Sequence, residues 1–223
     1  MGAVLDLVRV LFEPAAVFER LRERPKFLAP YLALAAVQLV IGFLQLPYMR
    51  AALAVQVAAM PQANPQAAET AQKFAAVGVV VGVIAIALIL VINAGILWVL
   101  VSVIGGEAKF APLLSVSTYA FTTGILLQIA GLAVLMLKGT GAIAGVEDLQ
   151  SALGLDLLVP GAKGFTLAVL RGINPFSLWG VYLTATGINV TQRTSQRTGW
   201  IVAAIGLLLG LVIAGAFAGL RRG

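Results

Sequence analysis

The chain has 223 residues, 61% of them hydrophobic and 11% charged, and a mean hydropathy of +1.01. A soluble domain carries about 25% charged residues to solvate its surface, so this composition excludes an ordinary water-soluble protein and calls for an apolar solvent, the bilayer. Cysteine and histidine are absent, which removes disulfides, thiolate nucleophiles, imidazole bases and most zinc or haem ligation.

The net charge of +6 is scattered at the ends of apolar runs and concentrated near the N-terminus, with no long basic run. That pattern suits lipid headgroups and the setting of topology rather than nucleic acid. The apolar residues fall in long stretches, not in the roughly ten-residue alternation of a membrane barrel. The expected fold is therefore all-α, a polytopic bundle of membrane helices, because a helix satisfies its own backbone N–H and C=O groups where no water is present.

Residues 1–26 lack the order of a signal peptide, whose positive charge precedes its apolar stretch. Here the apolar residues come first, and Arg20, Arg22, Arg24 and Lys26 follow. Pro14 suits the first position of a short helix, where its missing N–H would be unpaired anyway. Ala15, Phe18 and Leu21 then share one face, with Glu19, Arg20, Arg22, Glu23 and Arg24 elsewhere. This predicts an N-terminal amphipathic helix lying on the membrane surface, anchored by Phe18 and Leu21 with Arg20, Arg22, Arg24 and Lys26 among the headgroups. Residues 27–223 read as a membrane domain of five spans.

The first span is expected over 27–46, with Pro30 in its opening turn. Pro47 and Arg50 interrupt it, and 49–60 is apolar but too short to cross, so it reads as an interfacial or kinked extension. A polar loop containing Pro61-Gln62-Ala63-Asn64-Pro65 leads through Lys73 to the second span, 74–104. As a helix this stretch would be about 46 Å long, more than the ~30 Å hydrocarbon core, so it tilts or projects into the headgroups. Gly105-Gly106-Glu107-Ala108-Lys109 ends it, and the third span runs over 112–136.

Residues 138–172 form the longest excursion, containing a short helix whose start carries Glu147 and Asp148, carboxylates that favour the positive end of a helix dipole. Asn174 as N-cap and Pro175 at the first helical position open the fourth span, 175–191, the shortest and most polar. The fifth, 200–220, is closed by Arg221 and Arg222. Five spans put the N-terminus, the 105–111 loop and the 192–199 loop on one side. That side holds eight Lys/Arg in short segments, against seven spread over longer loops on the other. The denser side is expected in the cytoplasm, which makes this a multi-pass protein of the cell's inner membrane with a cytoplasmic N-terminus.

Three stretches resemble one family, the Yip domain proteins, named for Ypt/Rab-interacting membrane proteins. Glu13-Pro14-Ala15-Ala16-Val17-Phe18-Glu19-Arg20-Leu21 is similar to the family's proline-led segment ahead of the first span. Gly105-Gly106, Phe110 and Ser115-Val116-Ser117-Thr118-Tyr119-Ala120 resemble its short loop leading into the third span. Asn174-Pro175-Phe176-Ser177-Leu178-Trp179 resembles the start of its fourth. The resemblance implies an integral membrane protein linked, in eukaryotes, to vesicle traffic and small GTPases. The long N-terminal region of eukaryotic members has no counterpart here, and the alanine, leucine and arginine bias is of bacterial type, so a GTPase partner is not expected.

All nine carboxylates fall outside the expected spans, and no Lys or Arg is placed in mid-membrane. Ion-coupled pumps mark themselves with intramembrane ionisable groups, so a proton-driven transporter is disfavoured, as is an intramembrane metalloprotease. Phosphate-cradling glycine loops of the P-loop type are absent. No enzyme, catalytic residue, metal or cofactor is expected.

The spans do carry neutral polar residues. Ser115, Thr118, Tyr119 and Thr122 share a face of the third, and Trp179, Tyr182, Thr186 and Asn189 a face of the fourth. Asn93 lies deep in the second, and Gln38 and Gln45 share a face of the first. These residues, with Asn174, either line a polar cavity or serve as interhelical hydrogen-bond contacts, the commoner use. Gly78 with Gly82, Gly206 with Gly210, and Gly180, Thr184 and Gly187 suit close helix packing or, more sharply, a homo-oligomer. Two functional expectations follow. One is a non-enzymatic, trafficking-like scaffold that organises membrane through lipid and protein contacts. The other is a channel, carrier or lipid-translocating protein using the polar faces of the third and fourth spans.

Overall fold

In a computed structural model, residues 2–59, 65–104 and 107–220 are described, and among them the secondary structure is helical throughout, with no strand. Two short helices, α1 (Gly2–Arg9) and α2 (Pro14–Glu23), precede the long ones, and Pro14 takes the first turn of α2. α3 (Leu28–Ala58) runs through Pro47, absorbing the lost backbone hydrogen bond that proline imposes, so 49–58 continues the first span instead of lying apart from it. α4 (Pro65–Ile104) begins a full two turns before the expected start of the second span, with Pro65 at its first position. Residues 61–64 of the expected polar loop, and Gly105-Gly106, lie outside the described residues.

The third span is divided at Phe121 into α5 (Phe110–Ala120) and α6 (Thr122–Lys138). Three 3-10 turns follow, at Thr140–Ala142, Val146–Leu149 and Leu155–Leu158, the second carrying Glu147 and Asp148 as expected. A further helix within the 138–172 excursion, α7 (Gly164–Gly172), comes next. α8 (Pro175–Gln192) and α9 (Gln196–Leu220) complete the chain.

Among the described residues, four stretches are long and apolar enough to cross a membrane: Leu28–Ala58, Lys73–Ile104, Phe110–Lys138 and Gln196–Leu220. α8 has 18 residues but is not one of them, because its threonines, Asn189 and Gln192 dilute its apolar side chains.

The chain forms two compact units. The first comprises Met1–Leu34, Ala87–Gly124 and Leu153–Gly223. Its core joins Leu97 and Val101 of α4 to Leu113 of α5, Ile188 of α8 and Val202 of α9. α5 is enclosed by protein, with every residue over 112–120 buried. α8 and α9 lie antiparallel, and a Cβ at Gly199 would stand 2.5 Å from the Ala185 carbonyl oxygen. α7 continues that arrangement along the same neighbour, Gly172 meeting Leu211 and Phe165 meeting Gly215. Residue numbers rise along α7 and α8 as they fall along α9, so the two form one broken helix beside it.

The second unit comprises Ala35–Ile86 and Ile125–Ala152. Gly42 lets α3 approach Val79 of α4, within a cluster of Leu46, Ala75 and Val79. Ala52 of α3 packs with Leu135 of α6 and Ile143. Gln38 Nε2 donates to Gln128 Oε1 at 2.7 Å, and Ser151 Oγ donates to the Gly131 carbonyl at 3.1 Å.

Candidate functional site

Within the first unit, α5 carries most of the polar residues singled out in the third span, and it buries them. Asn93 Nδ2 of α4 donates to Ser117 Oγ at 3.0 Å. Ser115 donates to the Ala111 carbonyl at 3.2 Å and Thr118 to the Leu114 carbonyl at 2.8 Å, each within its own helix. Tyr119 is 0% exposed, and Thr122 is buried with its hydroxyl lacking a hydrogen-bond partner among the described residues. Thr122 apart, the hydroxyls of Ser115, Ser117 and Thr118 are met by direct hydrogen bonds.

The fourth-span stripe divides differently. Tyr182 is 43% exposed, its ring 6.2 Å from that of Trp200, and Trp179 is exposed as well. Thr186 and Asn189 are half-buried. The face of α8 that packs inward is the one with small residues. A Cβ at Gly180 would lie 2.9 Å from Thr123 Oγ1, and one at Gly187 would lie 2.7 Å from Val116 Cγ1. Close helix approach decided the orientation, and the aromatic rings, which tolerate a boundary between apolar and wet surroundings, turn outward. Tyr182 and Trp179 thus do not face the interior of this unit, while Thr186 and Asn189 are partly enclosed. Asn174 joins two helices: its Oδ1 accepts from the Ser177 N–H at 2.9 Å and caps α8, while its Nδ2 donates to the Arg171 carbonyl of α7 at 2.9 Å.

The N-terminal anchor is also rearranged. Phe18 is 0% exposed and Leu21 is buried, because α2 packs on α8 and α5. Phe18 Cζ would lie 3.1 Å from a Cβ at Gly187. The apolar face assigned to lipid meets protein, since an amphipathic stripe specifies that a face is buried and not what buries it. Arg20 donates to Asp6 Oδ1 at 2.7 Å, tying α2 to α1. Arg24 and Lys26 remain exposed.

Arg22 reaches a cavity of about 600 Å³ at one end of this unit. Three chain segments line it: Arg22 and Glu23 from the end of α2; Ile104, Glu107 and Lys109 from the α4–α5 connection; and Thr191, Gln192, Arg193, Thr194, Ser195 and Thr198 from the α8–α9 turn. Gln192, buried, holds the last two together, its Oε1 accepting from the Lys109 N–H at 2.7 Å while its Nε2 donates to Thr191 Oγ1 at 3.0 Å. Trp98 Nε1 donates to the Ala108 carbonyl at 3.1 Å and steadies the connection on α4. Arg193 ends α8 in the left-handed conformation, φ 53° and ψ 36°, which costs a non-glycine residue about 1 kcal/mol. Ser195 Oγ accepts from the Thr198 N–H at 3.1 Å and caps the start of α9, whose positive dipole end therefore opens at the cavity.

Sequence reasoning used Glu107, Lys109 and Arg193 only as loop markers and passed over Thr191, Gln192 and Thr194. The available signal was the inference that these loops share a side with the N-terminus. It also missed an ion pair. Arg171 Nε donates to Asp156 Oδ2 at 3.0 Å, with the aspartate side chain 2% exposed. Since Gly172 meets Leu211, Arg171 lies alongside α9 and not beyond its end, so not every charge sits clear of the helical bundle.

Long apolar helices and a buried, uncharged polar seam define an all-α integral membrane protein. The Yip1 domain family matches residues 8–218, and the chain belongs to that family. It is similar to membrane protein YknW of Bacillus subtilis (strain 168), with 30% identity over 220 residues, 96% of this chain and 90% of that protein. No solved structure matches it.

Proposed function

We propose that this protein is a five-span, non-enzymatic Yip-type protein of the cytoplasmic membrane, with its N-terminus in the cytoplasm, and that it organises membrane through lipid and protein contacts made at its cytoplasmic end. One observation carries the reading: Arg22 and Glu23 at the end of α2, Ile104, Glu107 and Lys109 around the α4–α5 connection, and Thr191, Arg193 and Ser195 around the α8–α9 turn meet at one cavity. Those are the segments that an odd number of spans puts on the N-terminal side. The α7–α8 pair beside α9 supplies the remaining crossing, with α7 making up for the shortness of α8. Arg22, Lys109 and Arg193 give this end the basic character of a cytoplasmic face.

The closed seam on α5 favours a scaffold over a carrier. The Ser115 and Thr118 hydroxyls bond to their own helix and Ser117 accepts from Asn93, so these groups are already occupied by protein. A homo-oligomer or another membrane protein would find unfilled surface at Gly78, Gly82 and Gly210, where a Cβ would meet nothing within 4 Å. Reporter fusions at both termini test the topology: opposite sides are expected, and two ends on one side would overturn five spans. Liposomes carrying the purified chain should neither pass small solutes nor scramble labelled lipid faster than empty ones, and acceleration of either would move the assignment to a carrier.

A further inference from the structure

We propose that the cavity at this end binds the headgroup of an amine-bearing glycerophospholipid, holding its phosphate with Lys109, Arg193 and Arg22 and facing its amine with Glu23 and Glu107. This rests on the reading of that end as the lipid-contacting one.

Five charged side chains line the cavity, and among the described residues none of them forms an ion pair. Elsewhere in the same unit, Asp6 pairs with Arg20 and Asp156 with Arg171. Unpaired charges of both signs gathered around one space suit a dipolar ligand, which can turn its anionic end to the cations and its cationic end to the carboxylates. Three cations against two carboxylates leave one positive charge in excess, matching a phosphodiester better than an amine alone.

Two neutral features reinforce the anion side. α9, with 25 residues, starts at the cavity, and its end carries a positive partial charge. Thr194 contributes a hydroxyl that is buried and has no hydrogen-bond partner among the described residues, a group that a phosphate oxygen would satisfy. Position selects lipid over a soluble phosphate: Ile104, Lys109 and Ser195 stand at the ends of apolar helices, at the level where headgroups lie. The volume, about 600 Å³, is within the range of small-ligand sites, about 300–1,000 Å³.

The test is native mass spectrometry of the full chain, delipidated in detergent and titrated with phosphatidylethanolamine, phosphatidylglycerol or O-phosphoethanolamine. One phosphatidylethanolamine per chain should be retained several-fold more tightly than phosphatidylglycerol, and O-phosphoethanolamine should compete only weakly. Lys109→Gln and Arg193→Gln should each weaken retention about tenfold, the loss of one charge-assisted hydrogen bond. Arg24→Gln, from the same basic stretch but outside the cavity, should leave it unchanged, and circular dichroism should report equal helicity for all three.

Equal retention by Lys109→Gln and Arg193→Gln at unchanged helicity would overturn the proposal, as would an equal loss in Arg24→Gln. Phosphatidylglycerol held as tightly as phosphatidylethanolamine would overturn the role given to Glu23 and Glu107. Competition by O-phosphoethanolamine as strong as that of the lipid would overturn the lipid as ligand. Retention in detergent does not depend on which side the cavity faces, so a failed topology reading would appear only in the terminal fusions.

Discussion

Gln192 Oε1 accepts the backbone N–H of Lys109 at 2.7 Å, so the last residue of α8 is bonded to the residue that precedes α5. A buried amide thus holds these two connections together, and its removal leaves the Lys109 N–H without its acceptor. Gln192→Leu keeps the size of the side chain and loses the acceptor. It is expected to cost about 1–3 kcal/mol, read as a lowered thermal midpoint in detergent. An unchanged midpoint would show that water replaces the contact.

Gly187 marks where α2 and α5 close on α8. Gly187→Leu adds atoms where Val116 and Phe18 already lie within 3.1 Å of the Cβ position. Overpacking of this kind costs about 1–3 kcal/mol, and because α2 is the lighter partner it should be the element displaced. Limited proteolysis should then cut between residues 10 and 26 faster than in the parent chain. Gly210→Ala, which meets nothing within 4 Å, should instead hold stability or raise it by up to about 1 kcal/mol through helix propensity.

The absence of cysteine makes single-cysteine labelling clean, and Phe18 and Glu19 are the informative pair. With Phe18 enclosed by α8 and α5, a spin label at 18 should be shielded from both water-soluble and lipid-soluble relaxation agents, whereas one at 19 should be open to water. Strong relaxation at 18 by the lipid-soluble agent alone would return α2 to the membrane surface.

The Asp156–Arg171 pair is set among packed backbone. Asp156 Oδ1 also accepts from the Gly154 N–H at 3.1 Å, and a Cβ at Gly154 would lie 2.7 Å from the Ile173 carbonyl oxygen. Breaking one side of a buried pair costs about 3–5 kcal/mol because the other charge is stranded, while replacing both with apolar groups costs far less. Asp156→Leu and Arg171→Met should each lower the unfolding midpoint sharply, and the double variant should recover most of the loss. Additive losses in the double variant would mean that the two side chains act separately.

The amino-acid sequence by itself determined that the protein is a helical membrane protein of the Yip type, and roughly where its long helices run. Both follow from local quantities: the amount of apolar surface per turn, the scarcity of charge, and proline and asparagine at helix starts, as at Asn174-Pro175. It also placed the start of a short helix at Pro14 and Phe18 and Leu21 on one of its faces, since periodicity is a property of the segment alone.

Only the tertiary structure decided what each face meets. Phe18 was legible as buried, but whether lipid or α8 buries it depends on Gly187, far along the chain, leaving room for its ring. Tyr182 turned outward for the same reason, because small residues on another face of α8 allowed α5 and α9 closer. The cavity was illegible for a further reason. Arg22, Lys109 and Arg193 come from three separate segments, and only the packing of α2, α5, α8 and α9 brings those charges to one place, with Gln192 bonding two of the segments together.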